Sequence, residues 1–181
     1  MPVQTRLTYD DYCRLPDDGK RYEIIDGELF VSPSPFRAHQ RVVTRLAYYL
    51  TAFLMRQGLG EVFVAPFDVV FSKFDVVEPD LLYVSKARSA VVSEKNIQGS
   101  PDLVVEVLSD STAATDRSKK LNLYARYGVR EYWIIDPVAV TAEIYRAGAE
   151  ALRIVQRPAR TDSLDSPLFP GFTLLLGKLA E

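Results

Sequence analysis

The spacing of apolar positions changes period several times along the chain. From 37 to 57, Val43, Leu46, Leu50, Phe53 and Leu54 recur close to the helical repeat and Gly58 supplies a stop, which predicts a long amphipathic helix. Ahead of it, RYEIIDGELFVSP sets Asp26-Gly27 between two short apolar segments, the pattern of a β-hairpin. A short helix is predicted before the hairpin, over 8–15. After the long helix, the segments 61–72, 76–84, 101–109, 131–137 and 142–147 are rich in β-branched and aromatic residues and are bounded by Gly, Pro or polar turns, so they read as strands. Between the third and fourth, DRSKKLNLYARYG (116–128) reads as a helix ended by Gly128. A run of strands with one crossover helix and one long packing helix predicts an α/β (α+β) fold, a central mixed sheet flanked by helices. No repeat or long linker divides the 181 residues, and one domain, 1–181, is expected.

The strand 101–109 is almost continuously apolar, as a strand buried on both faces should be, yet Glu106 stands between Val105 and Val107. An unpaired ionised carboxylate costs several kcal/mol to bury. Glu106 must therefore be neutral, paired, hydrogen-bonded or bound to a cation. Three other acids lie in or at the mouth of apolar strands: Glu23, Asp80 and Asp102. Asp102 shares a face with Glu106, but four residues at about 3.3 Å each separate them by roughly 13 Å, too far for one ion; Asp102 reads as a strand-start residue. Asp80 opens a neighbouring strand, and adjacent strands lie about 4.8 Å apart, so Asp80 and Glu106 can converge. Two carboxylates that close repel unless a proton or cation lies between them. With no His or Cys set beside them, the ion expected is hard, Mg²⁺ or Mn²⁺ rather than zinc.

On the helix 116–128 the apolar face centres on Tyr124. Lys120, one turn earlier, points toward that face, whereas Lys119 is turned about 100° away to solvent. The competing reading makes Asp116 and Lys120 an ordinary surface pair at i, i+4. His39, the single histidine, lies in phase with the apolar face of the long helix and reads as a hydrogen-bonded core residue or a support for the carboxylates. Tyr124 and Trp133 read as core packing.

Composition narrows the partners. A net charge of -2 and a pI near 5.5 give no global signature of nucleic-acid binding, so such a partner must be met by a local patch. The dense basic stretches are 116–120, with Arg126 and Arg130 beyond it, and the stripe Arg37, Arg41, Arg45; solvated helix faces look the same. No apolar run approaches the roughly 20 residues that span a bilayer. No secretory leader pattern opens the chain, and one cysteine, Cys13, cannot close an intramolecular disulfide, so a cytoplasmic protein is expected.

The segments EPDLLYV, DLVVEVLSDST and DRSKKLNLYARYGVREYWIIDP, with the leading RYEIIDGEL, together resemble the Uma-two family of endonucleases, within the restriction-endonuclease-like PD-(D/E)xK superfamily. The resemblance runs in order over most of the chain. It implies that Asp80 fills the PD position, Glu106 the (D/E) position and Glu23 an additional N-terminal carboxylate. The superfamily's lysine belongs two places after the glutamate, where this chain has Leu108; the family instead implies a lysine migrated to the following helix, at Lys120. By the same analogy the Val107 carbonyl is a further metal ligand. The activity implied is a Mg²⁺- or Mn²⁺-dependent endonuclease. Asp80 and Glu106 hold the ion and Glu23 positions it or a second one. Lys120 orients the attacking water, accepting a proton if its pKa is lowered, while His39 and Arg117 support the site or contact substrate. The partner implied is nucleic acid, with DNA favoured, and a homodimer suits the cutting of two strands. The alternative is a non-catalytic nucleic-acid or protein binding module that keeps the nuclease fold. A two-carboxylate glycosidase would leave Lys120 without a role.

Overall fold

The computed structural model describes residues 6–181. Helix α1 (Tyr9–Tyr12) is a single turn, capped by reciprocal hydrogen bonds between Thr8 and Asp11. It stops short of the predicted 15 because Pro16 biases Leu15 away from helical backbone. The hairpin forms as predicted from β1 (Arg21–Ile25) and β2 (Glu28–Ser32), with Asp26 and Gly27 at φ 54° and 80°, the doubly positive turn that matches strand twist. Helix α2 (Arg37–Gln57) coincides with its predicted span. It ends at Gly58, whose φ of 63° is the left-handed cap that glycine adopts without steric cost.

Two predicted strands are each divided in two. The segment 61–72 becomes β3 (Gly60–Val64) and β4 (Val69–Ser72), and 76–84 becomes β5 (Asp75–Val77) and β6 (Leu81–Ser85). Pro66 and Pro79 lie in the gaps, where a residue without an N–H cannot serve a ladder. The halves then join different sheets. With β7 (Ile97–Gln98), the order of the first is β2-β1-β5-β4-β7. The second uses β8 (Leu103–Val107), β9 (Glu131–Asp136), β10 (Thr141–Ala147) and β11 (Leu152–Gln156) in the order β11-β10-β9-β8-β6-β3. Both sheets are mixed, β8 running parallel to β9 and β4 to β7, so the expected central sheet is accompanied by a second one. A two-stranded ribbon, β12 (Ser163–Leu164) with β13 (Leu174–Leu175), completes the chain's strands among the described residues.

The crossover from β8 to β9 is helical but not uniform: α3 (Ala113–Thr115) leads into a π-helical turn, Asp116–Lys120, and then α4 (Leu121–Arg126). Wide turns of this kind tend to mark functional positions, and this one carries two buried charged side chains, Asp116 and Lys120.

On one face of the six-stranded sheet, Val42, Leu46, Leu50 and Leu54 of α2 pack with Leu103, Val105, Val107 and Trp133, each such side chain worth about 2 kcal/mol of burial. On the other face, Val104, Tyr132 and Ile134 meet Leu123 and Tyr124 together with Ile25, Val69 and Val77 of the smaller sheet. The period of two along β8 thus puts Glu106 with Val104, on the α4 side. The arginine stripe of α2 is structural in part: Arg41 and Arg45 donate to the carbonyls of Ala180 and Lys178 at 3.0 and 2.9 Å. Among the described residues no helix is long and apolar enough to cross a membrane.

Candidate active site

The break at Pro79 releases Asp80 at the mouth of β6. Because Leu81 pairs with Val105 on antiparallel β8, Asp80 falls opposite Glu106. Asp80 is almost fully engaged: Oδ1 accepts from Arg21 Nη1 at 2.7 Å, and Oδ2 accepts from the Val107 N–H at 2.7 Å and His39 Nε2 at 3.0 Å. Burial would raise its pKa, but His39, Arg21 and the Val107 amide outweigh it and hold the carboxyl down to about 2. His39 stands in the first turn of α2 and its Nδ1 is buried without a hydrogen-bond partner.

Glu106 faces the opposite situation. It is 3% exposed, and its two hydrogen bonds, from Lys120 Nζ at 3.0 Å and the Tyr124 hydroxyl at 2.7 Å, both fall on Oε1. Lys120 Nζ also lies 2.9 Å from Glu23 Oε1 and 3.6 Å from Asp116 Oδ1. Burial pushes Glu106 up to about 8; Lys120 opposes this, while Asp116, Asp80 and Glu23 add to it. For Lys120, burial favours the neutral amine, but Glu106, Glu23 and Asp116 together hold its pKa above the ordinary value. The shift is thus opposite to the lowered pKa under which Lys120 would accept a proton. Asp116 is 1% exposed and its pKa is raised by burial, so the pair it forms with Lys120 is internal rather than the surface pair of the competing reading.

Asp80, Glu106, Glu23, Lys120, His39 and Val107 all line one cavity of about 160 Å³ at the junction of the two sheets, the start of α2 and the π turn. Arg117 is placed elsewhere. Its Nε donates to Glu143 Oε1 at 2.7 Å, and it lines an adjoining cavity of about 400 Å³. Asp102 is wholly buried and accepts from the Ser85 N–H at 2.8 Å with Arg88 and Arg130 nearby, a structural anchor away from this cavity, in keeping with its strand-start reading.

Several participants escaped the reading of the sequence. Arg21 binds Asp80 and the Glu78 carboxylate, the latter at 2.8 Å. Its signal was available, since it lies two residues before Glu23 on one face of β1. Tyr124 is core packing as expected, yet its hydroxyl is the second donor to Glu106, a role no pattern of apolar positions could disclose. Glu78 is buried, with its pKa raised by that burial, and its own N–H donates to Glu23 Oε1 at 2.9 Å.

Five carboxylates, of Glu23, Glu78, Asp80, Glu106 and Asp116, are thus buried around two permanent cations, Arg21 and Lys120. An acid excess of that kind calls for protons or a bound cation. Among the described residues no three His, Cys, Asp or Glu side chains are grouped closely enough to hold one ion. Asp80, Glu106 and the Val107 backbone meet in this cavity and offer oxygen donors only, with Oε2 of Glu106 not engaged by Lys120 or Tyr124.

A family model described as Uma2, putative restriction endonuclease, matches residues 9–177. Among solved structures, a protein of Anabaena variabilis ATCC 29413, described as a putative nuclease belonging to DUF820, aligns with a TM-score of 0.79 at 20% identity, covering 96% of this chain and 97% of that one. At that identity the likeness is one of fold. No curated protein matches the sequence.

Proposed function

The chain belongs to the Uma2 family, and from the site it carries we propose a metal-dependent phosphodiesterase that cuts nucleic acid internally, with DNA as the favoured substrate and the whole chain as one catalytic domain. One observation carries the reading: a fully buried lysine bridges Glu23 and Glu106 in the same cavity that receives Asp80. A purely structural core gains nothing from such a cluster, because replacing buried ion pairs by apolar packing is commonly neutral or stabilising.

Asp80, Glu106 and the Val107 carbonyl would hold Mg²⁺ or Mn²⁺, with Glu23 positioning it. Such an ion supplies positive charge to the phosphate oxygens and eases deprotonation of water. The remaining roles belong to the chain itself. Lys120 stays an ammonium, so it acts as a donor that orients the attacking water and stabilises the growing negative charge rather than as a base. Tyr124 fixes the rotamer of Glu106 through its hydroxyl. Arg21 and His39 hold the two oxygens of Asp80, keeping it ionised across the physiological range.

The test is cleavage of single- and double-stranded DNA and RNA with Mg²⁺ or Mn²⁺, comparing wild type with folded Lys120→Ala and Asp80→Ala proteins. Metal-dependent cutting lost in both variants is the expected result. The second reading, a non-catalytic binding module, draws on the spent basic residues: Lys119 is tied to Glu28, Arg117 to Glu143 and Arg126 to Asp26 and Asp75. Absence of cutting on every substrate, with no divalent-metal binding by calorimetry, would decide for it.

A further inference from the structure

The cavity holding Asp80 and Glu106 does not end at its own walls. Phe36, His39, Ser109 and Asp110 line it and also line the adjoining cavity of about 400 Å³. That second space is walled by Phe36, Leu108, Ala113 and Val138, with Arg117 and Asp136 joining the shared His39, Ser109 and Asp110 as polar members. Two of its apolar side chains are conspicuous in water: Phe36 is 81% exposed and Val138 84%. The main chain at both positions is anchored by hydrogen bonds. The Phe36 carbonyl accepts from the Gln40 N–H at 3.1 Å as α2 begins, and Asp136 Oδ1 accepts from the Val138 and Ala139 N–H groups at 2.9 and 2.8 Å in the β9–β10 turn. An exposed Phe ring forgoes about 2 kcal/mol of burial, and here it stands at the rim shared by the two cavities.

We propose, resting on the phosphodiesterase reading above, that the second cavity receives an unpaired nucleobase next to the scissile phosphate, stacked on Phe36 with Val138 beside it. The favoured substrate is then single-stranded or locally unpaired nucleic acid rather than intact duplex. Continuity is the first ground: the base is covalently joined to the phosphate, and the two cavities share four lining residues. Chemistry is the second. Every base offers a flat π-face to an aromatic ring, but only when it is released from its own stack, and each such contact is worth about 1–3 kcal/mol. Charge is the third. Duplex binding draws mainly on free cations along the phosphate backbone, whereas the net charge here is -2 and Arg117, Lys119 and Arg126 are paired with carboxylates. The stacking contact itself is made with an uncharged base and draws less on such a surface. An apolar protein segment in the same place would have to bury Asp110, Arg117 and Asp136 along with itself, which disfavours that occupant.

The experiment is fluorescence anisotropy with a labelled single-stranded oligonucleotide, the same strand bearing abasic sites, and its duplex. Ca²⁺ replaces Mg²⁺ so that the strands stay intact. The proteins are wild type, Phe36→Ala and Phe36→Trp; position 36 is exposed, so both variants should fold. Expected are tighter binding of single strand than duplex, a loss of roughly 10- to 100-fold in Phe36→Ala, retention in Phe36→Trp, and little effect of Phe36→Ala on the abasic strand. Equal single-strand affinity of Phe36→Ala and wild type, a preference for duplex, no oligonucleotide binding, or an effect of Phe36→Ala confined to self-association would each overturn the proposal. Cutting in Mg²⁺ is measured in parallel. Stacking without cutting would sink the phosphodiesterase reading alone, and cutting unaffected by Phe36→Ala would sink this one alone.

Discussion

Replacing Lys120 by methionine keeps an unbranched side chain, shorter by the terminal ammonium nitrogen, and removes its charge, leaving Glu23, Glu106 and Asp116 buried without their shared cation. Breaking a buried pair in this way costs about 3–5 kcal/mol when the abandoned carboxylates are ionised. The cost should depend on pH, and the sign follows from the shifts. Lys120 has a raised pKa, so its contribution is complete below the unfolded value of 10.5 and is lost only at higher pH. Glu106 is already raised to about 8 from 4.5, so the folded protein holds its proton more tightly than the unfolded chain, and its contribution to stability is greatest below about pH 4.5 and declines toward pH 8. Without the ammonium Glu106 holds its proton more tightly still, and the decline extends to higher pH. At pH 5 the abandoned carboxyls can protonate, and the variant should lose about 1–2 kcal/mol, the scale of its hydrogen bonds; at pH 8, where a carboxyl of the cluster that ionises is left without its counter-charge, the loss should rise toward about 4. Urea denaturation in EDTA, followed by the fluorescence of Trp133, the one tryptophan and fully buried, reads both values. A loss below 1 kcal/mol at pH 8, or equal losses at the two pH values, would refute the buried cluster as the origin of the effect.

Asp80→Asn should cost about 2 kcal/mol at pH 7, the worth of a pKa lowered from 3.8 to about 2; that stabilisation is present above the unfolded value and disappears as pH falls through about 2, so acid titrations of variant and wild type should converge. Tyr124→Phe removes one of two donors to Glu106 and should destabilise by about 1–2 kcal/mol in chemical denaturation, with cutting reduced more than substrate binding if the rotamer of Glu106 matters to chemistry. Arg117→Ala breaks a half-exposed pair with Glu143 and should change stability by less than about 1 kcal/mol; a larger loss would mean that Arg117 anchors the crossover helix. Metal titration by calorimetry near pH 7 should release protons in wild type, because Glu106 is largely protonated without metal, and release far fewer in Glu106→Gln; buffers of different ionisation enthalpy measure the difference.

Much of this fold could be read from local pattern, and the failures have a common cause. The hairpin and α2 emerged at their predicted places because Asp26-Gly27 and the repeat of Leu46, Leu50 and Leu54 are signals contained within a few residues. The segments 61–72 and 76–84 read as single strands because their apolar content continues across Pro66 and Pro79, and only the choice of sheet partner, a long-range matter, divides them. The same limit applies at the cavity. Asp80, Glu106 and Lys120 stood out as charges in apolar surroundings, and the spacing of neighbouring strands was enough to bring the two acids together. Arg21 and Glu78 did not stand out, since a charge in a half-polar segment is unremarkable until the smaller sheet folds it against Asp80.

The position of the acid cluster follows from the break at Pro79. A single long strand through 76–84 would have kept Asp80 within a ladder, its side chain confined to one face of one sheet. Interrupted at Pro79, the chain leaves the smaller sheet at Val77 and enters the larger at Leu81, so Glu78 and Asp80 lie in the seam between them. Glu23 of β1 reaches that seam from the smaller sheet, Glu106 of β8 from the larger, and Lys120 closes it from the π turn. Each sheet alone would bury one or two acids at a cost it could avoid by substitution. Brought together they share one ammonium and one guanidinium, and the acid excess left over is what a cation would neutralise. Affinity for metal and the stability of the seam should therefore be coupled: saturating Mg²⁺ should raise the wild-type unfolding midpoint more at pH 8 than at pH 5, where protons already occupy the acids, and thermal melts with and without Mg²⁺ at the two pH values measure this. An equal shift at both would show that the ion, if bound, does not use Glu106.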